Sequence, residues 1–107
     1  MEIISNDPVK CSEAITGLKQ VEDPEIGLNI VDLGLIYQID FDESDKKIYL
    51  LMTFSTPFCP MGDSIILAVK QKMLENFSEY DIIINLNFDQ PWSPDRISAK
   101  GKEFLNK

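Results

Sequence analysis

The chain has 107 residues, of which 44% are hydrophobic and 26% charged, so we expect an ordinary folded protein with a single domain over residues 1–107. Eighteen acidic against ten basic residues give a net charge of −8, which argues against binding to nucleic acid or to an anionic membrane. Histidine is absent, which excludes Ser-His-Asp catalysis, Cys-His catalysis and every metal site that contains histidine.

The N-terminus and the length of the apolar runs predict a cellular compartment. Residues 1–7 have neither the basic start nor the apolar core of a signal peptide. No apolar run approaches the roughly 18–20 residues that a membrane span needs. We therefore expect a cytoplasmic protein with reduced thiols, and two cysteines are too few for the disulfide framework of a small secreted domain.

The first predicted element is a helix that begins at Asp7-Pro8, a capping carboxylate followed by a proline suited to the first turn. The helix should end before Asp23-Pro24, because a residue that precedes proline is disfavoured in a helix. Its apolar face has three- and four-residue spacing and comprises Cys11, Ala14, Ile15, Leu18 and Val21. A place on this face favours a packing role for Cys11 over a reactive thiol.

Alternating apolar and polar residues predict two strands, 35–41 and 48–54, joined as a hairpin by the polar turn 43–47. After the loop 55–62, Asp63 or Ser64 can cap a second helix. A third strand is predicted over 81–88, and Ser93-Pro94 predicts a short helix that extends to about Leu105.

The order αββαβα predicts an α/β fold of the two-layer α+β type. A hairpin plus one crossover strand gives a small mixed sheet, with the helices packed on one face.

The loop between the second strand and the second helix carries the most unusual local sequence, with Cys59 between Pro57 and Pro60. The two prolines restrict the backbone and hold the cysteine in a defined place. A position just before a helix N-terminus favours the thiolate, the form that binds metal or attacks a substrate. The alternative is a cysteine that only fills space under the helix start, and the local sequence leaves both readings open.

The number of available thiols limits what Cys59 can do. Iron–sulfur clusters take about four ligands, usually thiolates, and one chain offers one well-placed sulfur. A stable cluster inside a monomer is therefore not expected. Two copies in a homodimer would supply two thiolates and leave the irons open to glutathione or to the cysteines of a client protein.

Three other groups of residues are candidates for binding. Asp23 and Glu25 flank a proline, and Asp32 precedes the first strand, although plain turn chemistry explains such aspartates as well. Trp92 lies beside the last helix start, as a core anchor or a partner-binding aromatic. Arginine side chains on the first turn of a helix commonly face solvent, so we expect Arg96 to be an exposed charge.

Three segments of the sequence form a recognisable pattern, namely Asp23-Pro24-Glu25 with Ile30 to Tyr37, Met52 to Pro60, and Pro91 to Ser98. In this order they resemble the metal–sulfur cluster biosynthesis family, which includes PaaD-like and SUF-associated T proteins. The resemblance covers nearly the whole chain and favours the short stand-alone bacterial type, because the PaaD-type C-terminal cysteine region is missing.

The resemblance implies a non-enzymatic factor for iron–sulfur cluster assembly or transfer, with iron-sulfur assembly proteins and apo-client proteins as partners. It implies that Cys59 is a transient iron or cluster ligand and that no cofactor is tightly held. It also carries family motif positions onto this chain, namely Asp23, Glu25, Asp32, Thr53, Thr56 and Trp92.

Two alternatives remain open. The first is a metal-free adaptor that targets client apo-proteins to the iron–sulfur machinery. The second is a thiol redox enzyme, since Thr56-x-x-Cys59 has the spacing of some peroxide-reducing thiols. Against the enzyme, the local sequence contains neither a resolving cysteine nor a basic residue near the sulfur.

Overall fold

The computed structural model describes residues 3–24, 26–54, 62–88 and 92–105. The elements in these ranges, in chain order, are β1 (Ile4–Ser5), α1 (Pro8–Leu18), β2 (Ile36–Asp42), β3 (Lys47–Met52), α2 (Gly62–Asn76), β4 (Asp81–Leu86), a 3₁₀ turn (Pro94–Arg96) and α3 (Ala99–Leu105).

The four strands form one mixed sheet in the order β1-β2-β3-β4. The pair β2–β3 is antiparallel, whereas β1 runs parallel to β2 and β4 runs parallel to β3. The predicted hairpin and crossover strand are therefore confirmed. Strand β1 was not predicted, because two residues are too short to show a period in the sequence.

Helices α1 and α2 pack on each other and cover one face of the sheet, so the predicted two-layer α+β arrangement is confirmed. Alternate strand residues point into this layer, and Ile39, Ile48 and Leu50 are fully buried there. Residues between them on the strands, such as Tyr49, remain partly exposed on the opposite face.

The start of α1 follows its sequence signal, and its end does not. The Asp7 carboxylate accepts a hydrogen bond from the Lys10 backbone N–H, and Pro8 occupies the first turn. The helix ends at Leu18, well before Asp23-Pro24. Val21 is still buried, because a turn closed by its N–H and the Leu18 carbonyl brings it back to the core.

The two later helices differ from prediction in their starts. Helix α2 begins at Gly62, so Asp63 and Ser64 lie inside its first turn instead of capping it. The region after Ser93 is divided, because Ile97 is extended (φ −66°, ψ 132°) between the 3₁₀ turn and α3. There the Ser98 N–H donates to the Asp32 carbonyl, and the Ser98 hydroxyl accepts from the Gly101 N–H at the start of α3.

Candidate functional site

The loop that contains Cys59 connects the end of β3 to the start of α2. Cys59 and Thr56 lie outside the described residues, but the residues at both ends of the loop are described. Phe54 is buried, and a Cβ atom added to Gly62 would lie 2.6 Å from its Cε2 atom. Phe54 and Gly62 are therefore in close contact, and glycine at position 62 is what permits this approach.

Thr53 fixes the start of the same loop. Its side chain is fully buried, and its backbone N–H donates to the Leu35 carbonyl at 2.9 Å. Its hydroxyl lies 3.4 Å from the Phe54 carbonyl oxygen, to which it donates. The bond between Thr53 and Leu35 thus extends the pairing of the β2 and β3 segments by one residue beyond the regular ladder. It fixes the backbone where the loop begins.

Asp23 forms a tight turn at the loop between α1 and β2, while Glu25 lies outside the described residues. The Asp23 carbonyl accepts from the N–H groups of Ile26 (3.2 Å) and Gly27 (2.7 Å). The Asp23 side chain is only 1% exposed. A residue buried to this degree contributes to the shape of the turn and offers almost no surface for direct contact.

Asp32 joins two distant parts of the chain. Its carboxylate accepts hydrogen bonds from the Asn29 amide (2.6 Å) and the Ser98 hydroxyl (2.9 Å). Its backbone carbonyl accepts from the Ser98 N–H at 2.8 Å. The 29–32 turn is thereby connected to the start of α3, which lies 66 residues further along the chain.

The surroundings of Asp32 keep it ionised. Burial alone would raise its pKa, but the hydrogen bonds from Asn29 and Ser98, assisted by the positive charges of Lys19 and Lys100, lower the pKa of Asp32 below its ordinary value. Asp32 lines a cavity of about 410 Å³ together with Lys19 and Lys100.

The segment before α3 is held by what we call the C-terminal clasp, formed by Trp92, Arg96 and Ser98. The Trp92 Nε1–H donates to the Leu33 carbonyl at 2.7 Å, and the Arg96 Nε–H donates to the Gly34 carbonyl at 2.8 Å. The partly buried Trp92 is thus an anchor against the core, one of the two roles that the sequence left open.

Arg96 differs from its prediction. The expectation of an exposed charge is wrong, because its guanidinium lies 4.0 Å from the centroid of the Tyr37 ring and the residue is half-buried. The positive φ of Gly34 (78°) lets its backbone approach Arg96 closely. Neither contact has a local sequence signal, since the partners are about 60 residues apart.

The second thiol of the chain belongs to the core. Cys11 is 5% exposed on the inner face of α1, which confirms its predicted packing role. Burial raises the pKa of Cys11, with a smaller opposing effect from a hydrogen bond with Ser5. Cys11 is therefore held as the neutral thiol, the form that neither binds metal nor attacks.

Within the described ranges, no group of three or more Cys, Asp or Glu side chains is arranged to hold a metal ion. None of the helices in those ranges combines the length and the apolar character needed to cross a bilayer.

The chain is similar in sequence to a known protein family. A family model described as "Iron-sulfur cluster assembly protein" matches residues 12–77, which is more than half of the sequence. The chain belongs to this iron–sulfur cluster assembly family.

Several curated members of the family are similar over most of the chain. The Bacillus subtilis "Fe-S protein maturation auxiliary factor YitW" is 35% identical over 85 residues, which cover 79% of this chain and 82% of that protein. The Staphylococcus aureus "Fe-S protein maturation auxiliary factor SufT" is 37% identical over 82 residues, with 77% and 92% covered.

Solved structures of similar proteins share the fold. A Bacillus anthracis protein, titled as a domain of unknown function (DUF59), superposes with a TM-score of 0.82 at 34% identity and covers 89% of this chain and 90% of its own. A Mycobacterium tuberculosis protein described as associated with [Fe-S] complex assembly and repair has a TM-score of 0.51 at 33% identity, with 92% and 82% covered.

The family match divides the candidate residues into two groups. Asp23, Asp32, Thr53 and Cys59 lie inside the matched range 12–77, whereas the C-terminal clasp lies outside it. The clasp nevertheless contacts the matched range at Asp32, Leu33 and Gly34. The folded unit therefore includes the C-terminal clasp in addition to the matched residues 12–77.

Proposed function

We propose that this chain is a maturation factor for iron–sulfur proteins, which carries iron or a cluster transiently on Cys59 and passes it to apo-client proteins. Membership of the iron–sulfur cluster assembly family is the observation that carries this proposal. The names of the B. subtilis and S. aureus relatives, both maturation auxiliary factors, support it. In this role the protein is an auxiliary factor that binds cargo and does not catalyse metabolism.

The choice of Cys59 rests on elimination and on chain geometry. Of the two cysteines, Cys11 is buried in the core with a raised pKa, so Cys59 is the thiol left for metal. Cys59 precedes Gly62 by three residues, so covalent geometry keeps the two Cα atoms within about 11 Å of each other. The positive end of the α2 dipole lies at Gly62 and favours a nearby thiolate.

One thiolate per chain suits a protein that releases its cargo. A cluster with open ligand positions is accessible to the cysteines of a client, whereas a fully ligated one is not. We expect a homodimer or a small thiol to complete the ligand set during transfer. The proposed partners are iron–sulfur assembly proteins and apo-clients, in the cytoplasm, with no tightly held cofactor.

The remaining motif positions receive two different proposed roles. Thr53, Asp32 and Trp92 make internal contacts, so we assign them to the shape of the site. We assign buried Asp23 to the shape of the turn that follows α1. Glu25 and Thr56 stay as proposed contacts to a partner or to the cargo.

Matched removal of each thiol tests the proposal. We expect anaerobic reconstitution of the wild-type protein with iron and sulfide to give a visible absorption band with stoichiometric iron. Cys59→Ala should lose the band and most of the iron. Cys11→Ala, which replaces a small buried side chain by another, should keep both and thereby controls for effects on folding.

Cellular maturation separates the carrier from the adaptor. In the reconstitution, equal iron and sulfide binding by Cys59→Ala and Cys11→Ala would contradict the role of Cys59. If Cys59→Ala still supports client activity in cells that lack the wild-type protein, the metal-free adaptor replaces the carrier. A low Cys59 pKa with fast peroxide reduction would instead favour the thiol enzyme.

A further inference from the structure

Strand β4 forms one edge of the sheet, and no described strand pairs with its outer side. Its six residues pair with β3 in an unbroken register without a bulge. Natural edges are usually shortened, bent or protected by lysine or proline, because an open edge accepts a further strand. The opposite edge, β1, has only two residues, whereas β4 contains neither lysine nor proline.

The hydrogen bonds at the two ends of β4 determine which backbone groups face outward. Asp81 N–H donates to the Lys46 carbonyl, and Asn87 N–H donates to the Met52 carbonyl. The residues with odd numbers therefore direct their N–H and C=O groups to β3. The even residues between them, Ile82, Ile84 and Leu86, direct theirs away from the sheet.

The side chains along this edge are apolar and become more exposed toward the end of the strand. Ile84 and Leu86 are in register with the buried residues Leu50 and Met52, so they point to the helix-covered face. Ile84 is only partly buried, and Leu86 is 39% exposed. Phe88, also 39% exposed, continues the same alternation beyond the strand.

We propose that the outer edge of β4 binds an extended segment of a client protein as a fifth strand. The outward N–H and C=O groups, which pair with no strand in the described part of the chain, would supply main-chain hydrogen bonds, and Ile84, Leu86 and Phe88 would contact apolar side chains at alternate positions of the segment. Exposed Asp81 and the net charge of −8 favour a segment that also carries basic residues. This inference rests on the proposed maturation function, since it assigns the client's place on the factor.

The position of the edge favours a client segment over a second copy of the chain. The Phe88 ring lies 6.1 Å from that of Phe54, the residue at which the Cys59 loop begins, so a strand on β4 runs past the base of this loop. Antiparallel pairing of two β4 edges about Ile84 would place the two Leu86 residues about 13 Å apart along the strands. The two loops would then lie at opposite ends of the joint sheet, and each copy would also bring eight negative charges.

A short basic peptide of alternating lysine and valine, acetyl-KVKVKVK-amide, is a suitable probe for strand addition. We expect it to slow amide hydrogen exchange of Ile84 and Leu86, measured by NMR on the full chain, by at least about tenfold, since bonded amides exchange only after opening. The amides of Ile83 and Asn85, which already bond to β3, should change little.

Two variants remove the edge in different ways. Leu86→Lys places a charge on an exposed position. Ile84→Pro removes an outward N–H at a position where an edge strand tolerates proline, together with the partly buried Ile84 side chain. Both should weaken peptide binding at least about tenfold. Val9→Lys is the matched control, because Val9 is 73% exposed on α1, and it should bind like the wild type.

A pair of modified peptides tests the ligand side. One carries N-methyl groups on its valines and the other on its two internal lysines. Only one alternate set of N–H groups can bond to a given edge, so only one of the two peptides should lose binding. Equal binding of both, or binding by Leu86→Lys at wild-type strength, would overturn strand addition.

The outcomes separate this inference from the proposed function. Cys59→Ala should bind the peptide like the wild type, because it leaves β4 unchanged. If the peptide protects no β4 amide while client maturation still needs Cys59, the docking site is wrong and the carrier function stands. Protection that grows with protein concentration in the absence of peptide would replace the client by a second copy.

Discussion

Asp32 is a polar residue whose side chain and main chain both maintain the fold. Its carboxylate bonds to Asn29 and Ser98, and its carbonyl bonds to the Ser98 N–H. A buried or half-buried carboxylate is stable in this form only when donors compensate for lost water. The motif aspartate is therefore needed for structure even if no partner ever contacts it.

The pKa of Asp32 predicts a pH dependence with a definite sign. The folded protein lowers this pKa, so the ionised carboxylate contributes stability above the unfolded pKa of about 4 and loses it as pH falls through the lower folded pKa. We expect Asp32→Asn to cost about 1–2 kcal/mol at pH 7. The difference from wild type should shrink in urea unfolding below pH 4.

Asp45→Asn is the charge-matched control for this measurement, because Asp45 is exposed in the hairpin turn. Its stability should follow the wild type across the same pH range. A constant difference between Asp32→Asn and wild type from pH 7 to pH 3 would show that the charge of Asp32 contributes nothing.

At the level of elements, the C-terminal clasp fixes the 32–34 turn to the chain that precedes α3. Trp92 and Arg96 donate to consecutive carbonyls, those of Leu33 and Gly34. These carbonyls lie just before β2 and have no partner in the sheet ladder, so the clasp completes their hydrogen bonding. The 32–34 turn is thereby held in place. Leu35, which follows it, accepts the hydrogen bond from the Thr53 N–H at the end of β3.

Two glycines with nearly equal φ angles allow the energetic effect of the contact between Gly34 and Arg96 to be measured. Gly34 (φ 78°) and Gly27 (φ 80°) both require the left-handed region, which costs alanine about 1–2 kcal/mol. A Cβ at Gly34 would lie 2.5 Å from the Arg96 carbonyl oxygen, whereas no described atom lies within 4 Å of a Cβ at Gly27. We expect Gly34→Ala to destabilise the protein by about 1–3 kcal/mol more than Gly27→Ala in denaturant unfolding.

Amide hydrogen exchange shows which part of the fold the Gly34→Ala substitution loosens. In Gly34→Ala the amides at the start of α3 should lose protection first, because the clasp holds them to the turn. Equal destabilisation by the two alanine variants would mean that the Gly34–Arg96 approach adds nothing beyond backbone strain.

At the scale of the whole molecule, the apolar layer between helices and sheet holds the fold, and polar contacts at its rim connect elements that are distant in sequence. One such network joins Lys10 of α1, Glu43 of the hairpin turn and Tyr80 before β4. The Tyr80 hydroxyl donates to the Glu43 carboxylate (2.7 Å) and accepts from the Lys10 ammonium (3.2 Å), while Lys10 and Glu43 form an ion pair. The side chains of Lys10 and Glu43 are 32% and 48% exposed, so solvent weakens the pair.

Removal of the Tyr80 hydroxyl should have a modest effect. We expect Tyr80→Phe to cost about 0.5–1 kcal/mol, since the ring keeps its edge contacts with Phe41 and Phe77. Tyr49→Phe is the control, because the Tyr49 hydroxyl makes no hydrogen bond within the described ranges and the residue is exposed. Urea unfolding at low and high salt checks both, and equal values for the two variants would contradict a role for the network.

Local patterns in the sequence predicted the parts of the fold that depend on neighbouring residues. The Asp7-Pro8 cap, the apolar face around Cys11, the hairpin β2–β3 and the crossover to β4 were predicted from residue type, spacing and the order of elements, and are confirmed. Periodicity and capping act over a few residues, so the chain order carries them directly. Cys59 as a metal ligand, with the other binding positions, stays a prediction.

The tertiary structure decided the features that join residues far apart in the chain. The bond from the Ser98 hydroxyl to Asp32, the stacking of Arg96 on Tyr37 and the pairing of β1 with β2 each depend on a partner at least 30 residues away. No local pattern indicates such a partner, because folding selects it by complementary shape and by the need to satisfy buried polar groups. The sequence by itself determined the cysteine inventory, the packing role of Cys11 and the order of the elements from α1 onward. Tertiary packing decided the pairing of β1 and made Asp32 a structural bridge, because both depend on contacts between residues that are distant in the chain.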